Sequence, residues 1–272
     1  MELRVNGYSS YAYTGGKSLK PALDANLPAV IFIHGAELDH SCWGLQSRWF
    51  AHHGFATLAV DLPGHGRSAG APLVSIEAMA GWVIALLDAA GIARAALVGH
   101  SMGSLTALEA AAGFPERVSR IALLGNATPM PVSKSLLDAA RDDTSRAEAM
   151  INVWSHSPHG HIGGNTAPGM WMYGASRRLM ARAERGLLLN DLSACNNYAQ
   201  GLERAAQVRC PALLLSGSHD QMTSLKAARN LAKALPDARL QVLAGAGHAM
   251  MAEQPDAVLD ALRAFMVETQ TA

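Results

Sequence analysis

Short apolar runs alternate with longer segments of helical period along most of this chain, and this alternation restricts the fold more than any other feature. Most runs are rich in Val, Ile and Leu and almost continuously apolar, which is typical of parallel strands covered on both faces. The alternation predicts an α/β fold with a doubly wound, mostly parallel sheet of eight strands and right-handed crossovers. The predicted strands are Leu3–Val5, Tyr8–Tyr13, Ala29–His34, Ala56–Asp61, Ala95–His100, Arg120–Leu124, Ala212–Gly217 and Leu240–Leu243, and the predicted helices between them are Ile76–Ala90, Met102–Gly113, Ser224–Leu235 and Pro255–Met266.

One stretch departs from this rhythm. Between about Ala127 and Gln207 there is no convincing strand, and about 80 residues is too long for an ordinary crossover. We therefore expect a helical cap at residues 127–207, inserted into a core formed by residues 1–126 and 208–272. Its predicted helical segments are Lys134–Arg141, Ser145–Trp154, Ala175–Arg185 and Leu188–Ala206.

Composition excludes several classes of protein. Half of the 272 residues (50%) are hydrophobic, and 22 basic residues balance 22 acidic ones, so the basic stripe of a nucleic-acid or anionic-membrane binder is not expected. No apolar stretch reaches the roughly 20 residues of a membrane span, and the first residues do not resemble a signal peptide. Cys42, Cys195 and Cys210 are odd in number and far apart, which favours a reducing, cytoplasmic compartment. The sequence leaves a homodimer open.

The strongest local motif is Gly99-His100-Ser101-Met102-Gly103, which lies between a predicted strand and a predicted helix. A serine hydroxyl is a poor nucleophile unless it is exposed and held beside a base, and a tight strand-to-helix turn exposes it. Glycines two residues before and after the serine remove Cβ atoms that would collide in such a turn. The motif predicts Ser101 as a nucleophile.

Several separate segments together resemble the α/β-hydrolase family, in its serine-nucleophile, carboxylesterase-like branch. Besides the motif at Ser101 they are His34-Gly35, the segment Asp61-Leu62-Pro63-Gly64-His65-Gly66-Arg67-Ser68, the segment from Cys210 to Asp220, and Gly245-Ala246-Gly247-His248. The order and separation of these segments carry the likeness, which spans most of the chain and leaves out the cap.

The resemblance implies a catalytic triad in the chain order Ser101, Asp220, His248, with His248 as the base and Asp220 orienting it. It also implies an oxyanion hole formed by the backbone N–H groups of Met102 and Ala36. Asp220 lies just past a predicted strand, and His248 lies in a Gly-rich loop after the last one, where reacting groups of parallel sheets gather. As alternatives to Asp220 we considered Asp61, which is expected to bind backbone, and Glu253 and Asp256, which fall in or beside the last helix.

Histidines and large apolar residues supply the remaining candidates. His34 is expected to order the oxyanion loop through backbone hydrogen bonds, while His156, His159 and His161 occupy a Gly/Pro loop without cysteines. We expect no metal and no cofactor. Substrate contacts are expected from Trp43, His100, Trp154, Trp171 and Met222, with ordinary packing as the alternative for each.

These features predict a serine hydrolase that cleaves carboxylic esters of small to medium, largely apolar substrates through an acyl-enzyme intermediate. The expected partner is a small-molecule ester. The same triad also serves carbon–carbon hydrolases, lactonases and perhydrolases, and a catalytically idle receptor would keep the fold. An aspartate nucleophile would indicate epoxide or haloalkane chemistry, but residue 101 is serine.

Overall fold

The computed structural model of the protein describes residues 1–17, 27–162, 164 and 170–267. Eight strands form one sheet, which confirms the predicted α/β architecture. The strands are β1 (Glu2–Val5), β2 (Tyr8–Tyr13), β3 (Ala29–Ile33), β4 (Ala56–Val60), β5 (Ala95–His100), β6 (Val118–Leu124), β7 (Ala212–Gly217) and β8 (Ala238–Leu243). Their order across the sheet is β1-β2-β4-β3-β5-β6-β7-β8.

The sheet is parallel except at its first edge. Strand β1 pairs antiparallel with β2, and β2 pairs antiparallel with β4, whereas the other neighbours run parallel. The hairpin between β1 and β2 turns at Asn6 and Gly7, both of which have positive φ angles (49° and 87°). A two-residue turn of this kind matches the twist of the strands that it joins.

Helices cover both faces of the sheet. They are α1 (Gly44–His52), α2 (Ile76–Ala89), α3 (Met102–Gly113), α4 (Lys134–Asp142), α5 (Thr144–Ser155), α6 (Pro158–His161), α7 (Met172–Met180), α8 (Leu187–Asn197), α9 (Gly201–Ala205), α10 (Leu225–Ala234), α11 (Met250–Glu253) and α12 (Pro255–Val267), with a 3-10 turn at His40–Trp43 before α1. Because side chains alternate along a strand, Ile31 and Ile33 face the cluster that includes α2 and α3, while Val30 and Phe32 face the one that includes α1 and α12.

The segment between β6 and β7 contains α4 to α9, a group that we call the helical insertion; among its described residues there is no strand. It has a small apolar cluster of its own, which includes Leu136, Met180 and Leu192. The predicted helix Leu188–Ala206 is wrong, since α8 and α9 are separated at Tyr198–Gln200. Tyr198 there has extended backbone (ψ 91°) and turns its hydroxyl to Glu109 of α3.

Sequence reasoning missed α1. Its first residue is glycine and Trp43 provides no side-chain cap, so the usual signals for a helix start are absent.

All three cysteines are free thiols, and the cytoplasmic location drawn from them stays a prediction. Among the described residues, no helix is both long enough and apolar enough to cross a bilayer.

Replacing Tyr198 with Phe should lower the free energy of unfolding by about 1.5 kcal/mol, because the buried hydroxyl donates to the Glu109 carboxylate at 2.7 Å. Urea denaturation measures the change. The matched control is Tyr8→Phe, since Tyr8 is exposed. Equal urea midpoints for the two variants would show that the hydrogen bond between Tyr198 and Glu109 does not stabilise the fold.

Candidate active site

Ser101 lies in a strained turn between β5 and α3. Its φ and ψ angles are 52° and −117°, a left-handed conformation that non-glycine residues rarely adopt. Its N–H donates to the Leu124 carbonyl at 2.9 Å, which ties the turn to β6. A Cβ atom on Gly99 would collide with the backbone of Gly103, and one on Gly103 would collide with the end of β3. The two glycines of the motif are therefore required by close backbone contact.

Asp220 and His248 form a buried hydrogen-bonded pair beyond the ends of β7 and β8. The Nδ1–H of His248 donates to Oδ2 of Asp220 at 2.8 Å. The same carboxylate accepts from the Thr223 hydroxyl (2.6 Å) and from the N–H groups of Met222 and Thr223 (both 2.8 Å). Burial works against ionisation, but the attraction of His248 and these hydrogen bonds outweigh it and hold the pKa of Asp220 below its usual value.

Gly125, directly after β6, lies behind this pair. Its φ angle is 58°, and a Cβ atom there would lie 2.7 Å from Cε1 of His248 and 3.6 Å from Oδ2 of Asp220. A side chain at this position would displace the imidazole. The loop after β6 therefore makes room for the pair and supplies no carboxylate of its own.

Ser101 and His248 border the same cavity, whose volume is about 1090 Å³. Residues from the helical insertion form much of the wall opposite the sheet. The apolar ones include Met130, Leu136, Ile151, Trp154, Met172 and Met180. The structure thus brings the predicted nucleophile and the histidine of the Asp220 pair to one largely apolar chamber.

Ala36 also borders this cavity, in the loop after β3. The preceding carbonyl, Gly35 O, accepts from His34 Nδ1–H at 2.8 Å, and His34 Nε2 accepts from the Leu62 N–H at 3.1 Å. Burial lowers the pKa of His34 to about 4, so the ring is neutral, as this pairing requires. Met102 begins α3 next to Ser101. Among the residues that the structure describes, neither the Ala36 nor the Met102 amide has a protein acceptor.

Three of the five predicted substrate contacts lie on the cavity wall, namely His100, Trp154 and Met222. Trp43 does not. It is fully buried in the core, with its ring centroid 5.3 Å from that of Phe32, so the prediction of a substrate contact is corrected to a packing role. Trp171 is outside the described wall and is 62% exposed, lying over Gly174, and its contact with substrate stays a prediction.

His100 supports the histidine loop. Its Nε2–H donates to the carbonyl of His248 at 3.0 Å, and the two rings lie 4.7 Å apart. Burial, with a smaller contribution from His248, lowers the pKa of His100 to about 3, so the ring is neutral and its Nδ1 is an acceptor. This hydrogen bond connects the residue before Ser101 to the loop after β8, which carries His248.

Glu253 fastens the same loop to the helical insertion, a role that sequence reasoning missed. One carboxylate oxygen accepts from the Gly247 N–H and the other from the Ser157 N–H, both at 3.0 Å. Alongside them, the Ala249 N–H donates to the Ser155 carbonyl at 2.8 Å. No local pattern announces such a bridge, because Ser157 and Glu253 are 96 positions apart.

Among the described residues, one group of side chains could hold a metal ion, namely Asp39, His40 and Asp61. Their possible ligand atoms lie within 4.8 Å of one another. Asp61 accepts from the N–H and the ring of His40 (2.7 and 2.8 Å) and from the Arg67 N–H (2.9 Å), as expected for a residue that binds backbone. These hydrogen bonds account for the cluster. His156 and His161 instead donate to backbone carbonyls.

Glu37, the residue after Ala36, carries another buried carboxyl group. Burial, reinforced by the carboxylates of Glu148 and Asp191, raises the pKa of Glu37 from 4.5 to about 9. Glu37 is 3% exposed, and its Oε2 atom has no hydrogen-bond partner in the described part of the chain. The side chain is therefore neutral at physiological pH.

Glu37 should make the protein less stable as pH rises from about 4.5 to about 9, because the unfolded chain releases this proton at the lower value and the folded one keeps it. Glu37→Gln cannot ionise and should be at least ~1 kcal/mol more stable than wild type at pH 8, with no gain at pH 4. Thermal unfolding across this range measures the effect. Glu116→Gln, at an exposed position, is the control, and equal behaviour of the two variants would disprove the assignment.

Comparison with known proteins agrees with this geometry. A family model described as the alpha/beta hydrolase fold matches residues 28–255. A pimeloyl-[acyl-carrier protein] methyl ester esterase of Chromobacterium violaceum is 32% identical over 242 residues, covering 82% of this chain and 87% of that protein. A 2-hydroxy-6-oxononadienedioate/2-hydroxy-6-oxononatrienedioate hydrolase of Paraburkholderia phymatum is 28% identical, with 82% of each chain covered.

Among solved structures, the enol-lactonase of Burkholderia xenovorans LB400 superimposes with a TM-score of 0.85 at 27% identity, covering 98% of this chain and 100% of that one. The family match extends from before β3 to the start of α12 and so includes every candidate site residue. The chain belongs to the α/β-hydrolase family.

Proposed function

We propose that this hydrolase cleaves carboxylic esters of small to medium, largely apolar substrates, with Ser101 as the nucleophile, His248 as the base and Asp220 as the residue that orients it. The observation that carries the proposal is the His248–Asp220 hydrogen bond at the edge of a cavity that Ser101 also borders. A strained serine and an imidazole whose Nδ1–H donates to a buried carboxylate are the groups that acyl transfer needs.

In this scheme His248 takes the Ser101 hydroxyl proton on Nε2, because its Nδ1–H is engaged by Asp220. The serine oxygen forms a bond to the ester carbonyl carbon, and the resulting oxyanion accepts from the amides of Ala36 and Met102. Collapse of this intermediate breaks the bond to the alcohol oxygen, which receives the proton from His248. Water then attacks the acyl-enzyme by the same route, releasing the carboxylic acid and restoring Ser101.

The helical insertion acts in this proposal as a cap over the reaction centre. Its residues contribute Trp154 and several methionines to the cavity wall, and this apolar wall limits the access of bulk water to the reacting groups. The relatives named above are a methyl ester esterase, a hydrolase of 2-hydroxy-6-oxononadienedioate and 2-hydroxy-6-oxononatrienedioate, and an enol-lactonase. All three fit the same triad, so the leaving group must be tested directly.

Ser101→Ala should reduce hydrolysis of p-nitrophenyl butyrate by about 10³-fold or more while leaving the fold intact, because the covalent step is lost. Steady-state kinetics measure the rate, and mass spectrometry after treatment with a fluorophosphonate measures labelling of Ser101. Ser145→Ala, at an exposed position on α5, is the matched control. A wild type that neither turns over the ester nor is labelled would indicate an idle receptor.

Lengthening the acyl chain from acetyl to hexanoyl should raise kcat/KM, because each methylene that enters an apolar cavity gains about 0.8 kcal/mol, or roughly fourfold. A series of p-nitrophenyl esters measures this slope. A lactone and a vinylogous diketone are assayed in parallel. The lactone tests for lactonase activity, and the diketone tests for carbon–carbon bond hydrolysis. Faster turnover of either one would replace the ester assignment, and a flat series would contradict an apolar acyl site.

A further inference from the structure

Asp191 reaches from α8 of the helical insertion into the core beside the loop after β3. Its side chain is fully buried. One oxygen, Oδ2, accepts from the N–H of Glu37 at 2.9 Å and from Nε2–H of His65 at 2.8 Å. The other, Oδ1, accepts from the Asn190 side chain at 3.2 Å. The carboxylate is therefore held on both sides, and its strongest contacts lie outside its own helix.

These contacts act on the backbone around Ala36. The peptide group before Ala36 is fixed by its carbonyl, Gly35 O, which accepts from His34 Nδ1–H at 2.8 Å and from the Leu38 N–H at 3.2 Å. The peptide group after Ala36 carries the Glu37 N–H, which Asp191 accepts. Both peptide groups that flank Ala36 are thus held in place, one by the core and the other by the helical insertion.

The second restraint is needed because Glu37 has a left-handed backbone. Its φ angle is 56°, a conformation that costs a non-glycine residue about 1–2 kcal/mol and persists only where the surroundings enforce it. The Asp191 hydrogen bond is made to the N–H of this same residue. Releasing it allows Glu37 to relax toward negative φ, and that rotation turns the adjoining Ala36.

His65 makes the restraint ionic. Its Nδ1 faces the Pro63 carbonyl at 3.1 Å and its Nε2 faces Asp191, so both ring nitrogens have oxygen acceptors and the ring is doubly protonated. An anionic oxygen binds this imidazolium and the Glu37 amide more strongly than a neutral one, because both hydrogen bonds are then charge-assisted. An amide side chain at residue 191 would present an N–H either to these donors or to Asn190.

We propose that Asp191 is a positioning residue that aligns the Ala36 amide for the oxyanion, so that the helical insertion completes the reaction centre as well as covering it. This inference rests on the proposed ester hydrolysis, in which the Ala36 N–H binds the oxyanion. Because that N–H is used in the transition state and hardly at all in substrate binding, losing Asp191 lowers kcat and leaves KM nearly unchanged.

The test compares Asp191→Asn and Asp191→Ala with wild type on p-nitrophenyl butyrate, and measures inhibition by phenylboronic acid. The tetrahedral boronate places an oxygen where the oxyanion lies, so its Ki reports that subsite without turnover. We expect kcat to fall about 10-fold for Asn and about 100-fold for Ala, with KM within about twofold and Ki rising in parallel with the loss of kcat.

Gln200→Ala is the matched control, because Gln200 also links the insertion region to the core, through Glu77 at 2.8 Å, but at the surface. It should leave kcat and Ki unchanged. If Asp191→Ala does not fold, Asp191→Asn and Asn190→Ala, which removes the hydrogen bond that orients the carboxylate, carry the test. Unchanged kcat and Ki in the folded variants, or a rise in KM alone, would overturn the proposal. A wild type without esterase activity would instead refute the proposed function.

Discussion

The close backbone contact among β3, β5 and α3 is the constraint on which the rest of the site depends. At Gly99 and Gly103 the strand and the helix approach so closely that a single Cβ atom on either residue would overlap main-chain atoms. This contact forces the turn at Ser101 into positive φ, and it brings the end of β3 beside the serine. Ala36 and Ser101 share one cavity because of it.

Two buried carboxylates then connect the helical insertion to the two loops that flank Ser101. Glu253 joins the insertion to the loop of His248, and Asp191 joins it to the loop of Ala36. Each accepts backbone N–H groups on the loop that it reaches, so each fixes the direction of the main chain there. Neither carboxylate lies among the residues that line the described cavity.

Most of the fold could be predicted from the sequence because its signals are local. A buried parallel strand is a continuous apolar run, and β2, β5 and β7 have the predicted bounds. The order of Ser101, Asp220 and His248 came from the family resemblance, and each of these residues follows a strand in the structure. The tryptophans were harder, because composition does not distinguish Trp43 in the core from Trp171 on the surface.

Long-range bonds between side chains and backbone could not be predicted at all. Asp191 and Glu37 are separated by 154 positions, and neither has a sequence neighbourhood that marks it as a partner. Glu253 was considered only as an alternative acid, because its position beside the last helix says nothing about the Ser157 and Gly247 amides. Such contacts depend on how the insertion packs, which periodicity does not encode.

The hydrogen bonds of Glu253 bear on whether the helical insertion can be replaced by the insertion of another protein. Since Ser155 O and Ser157 N–H are main-chain groups, nearly any sequence could supply them, provided that its chain passes through the same point. A foreign insertion grafted onto this sheet must therefore bring its main chain to the same position, whereas the identity of its side chains there matters less. A graft whose chain bypasses that point would leave the Glu253 carboxylate without the Ser157 N–H and would separate the Gly247 loop from the insertion.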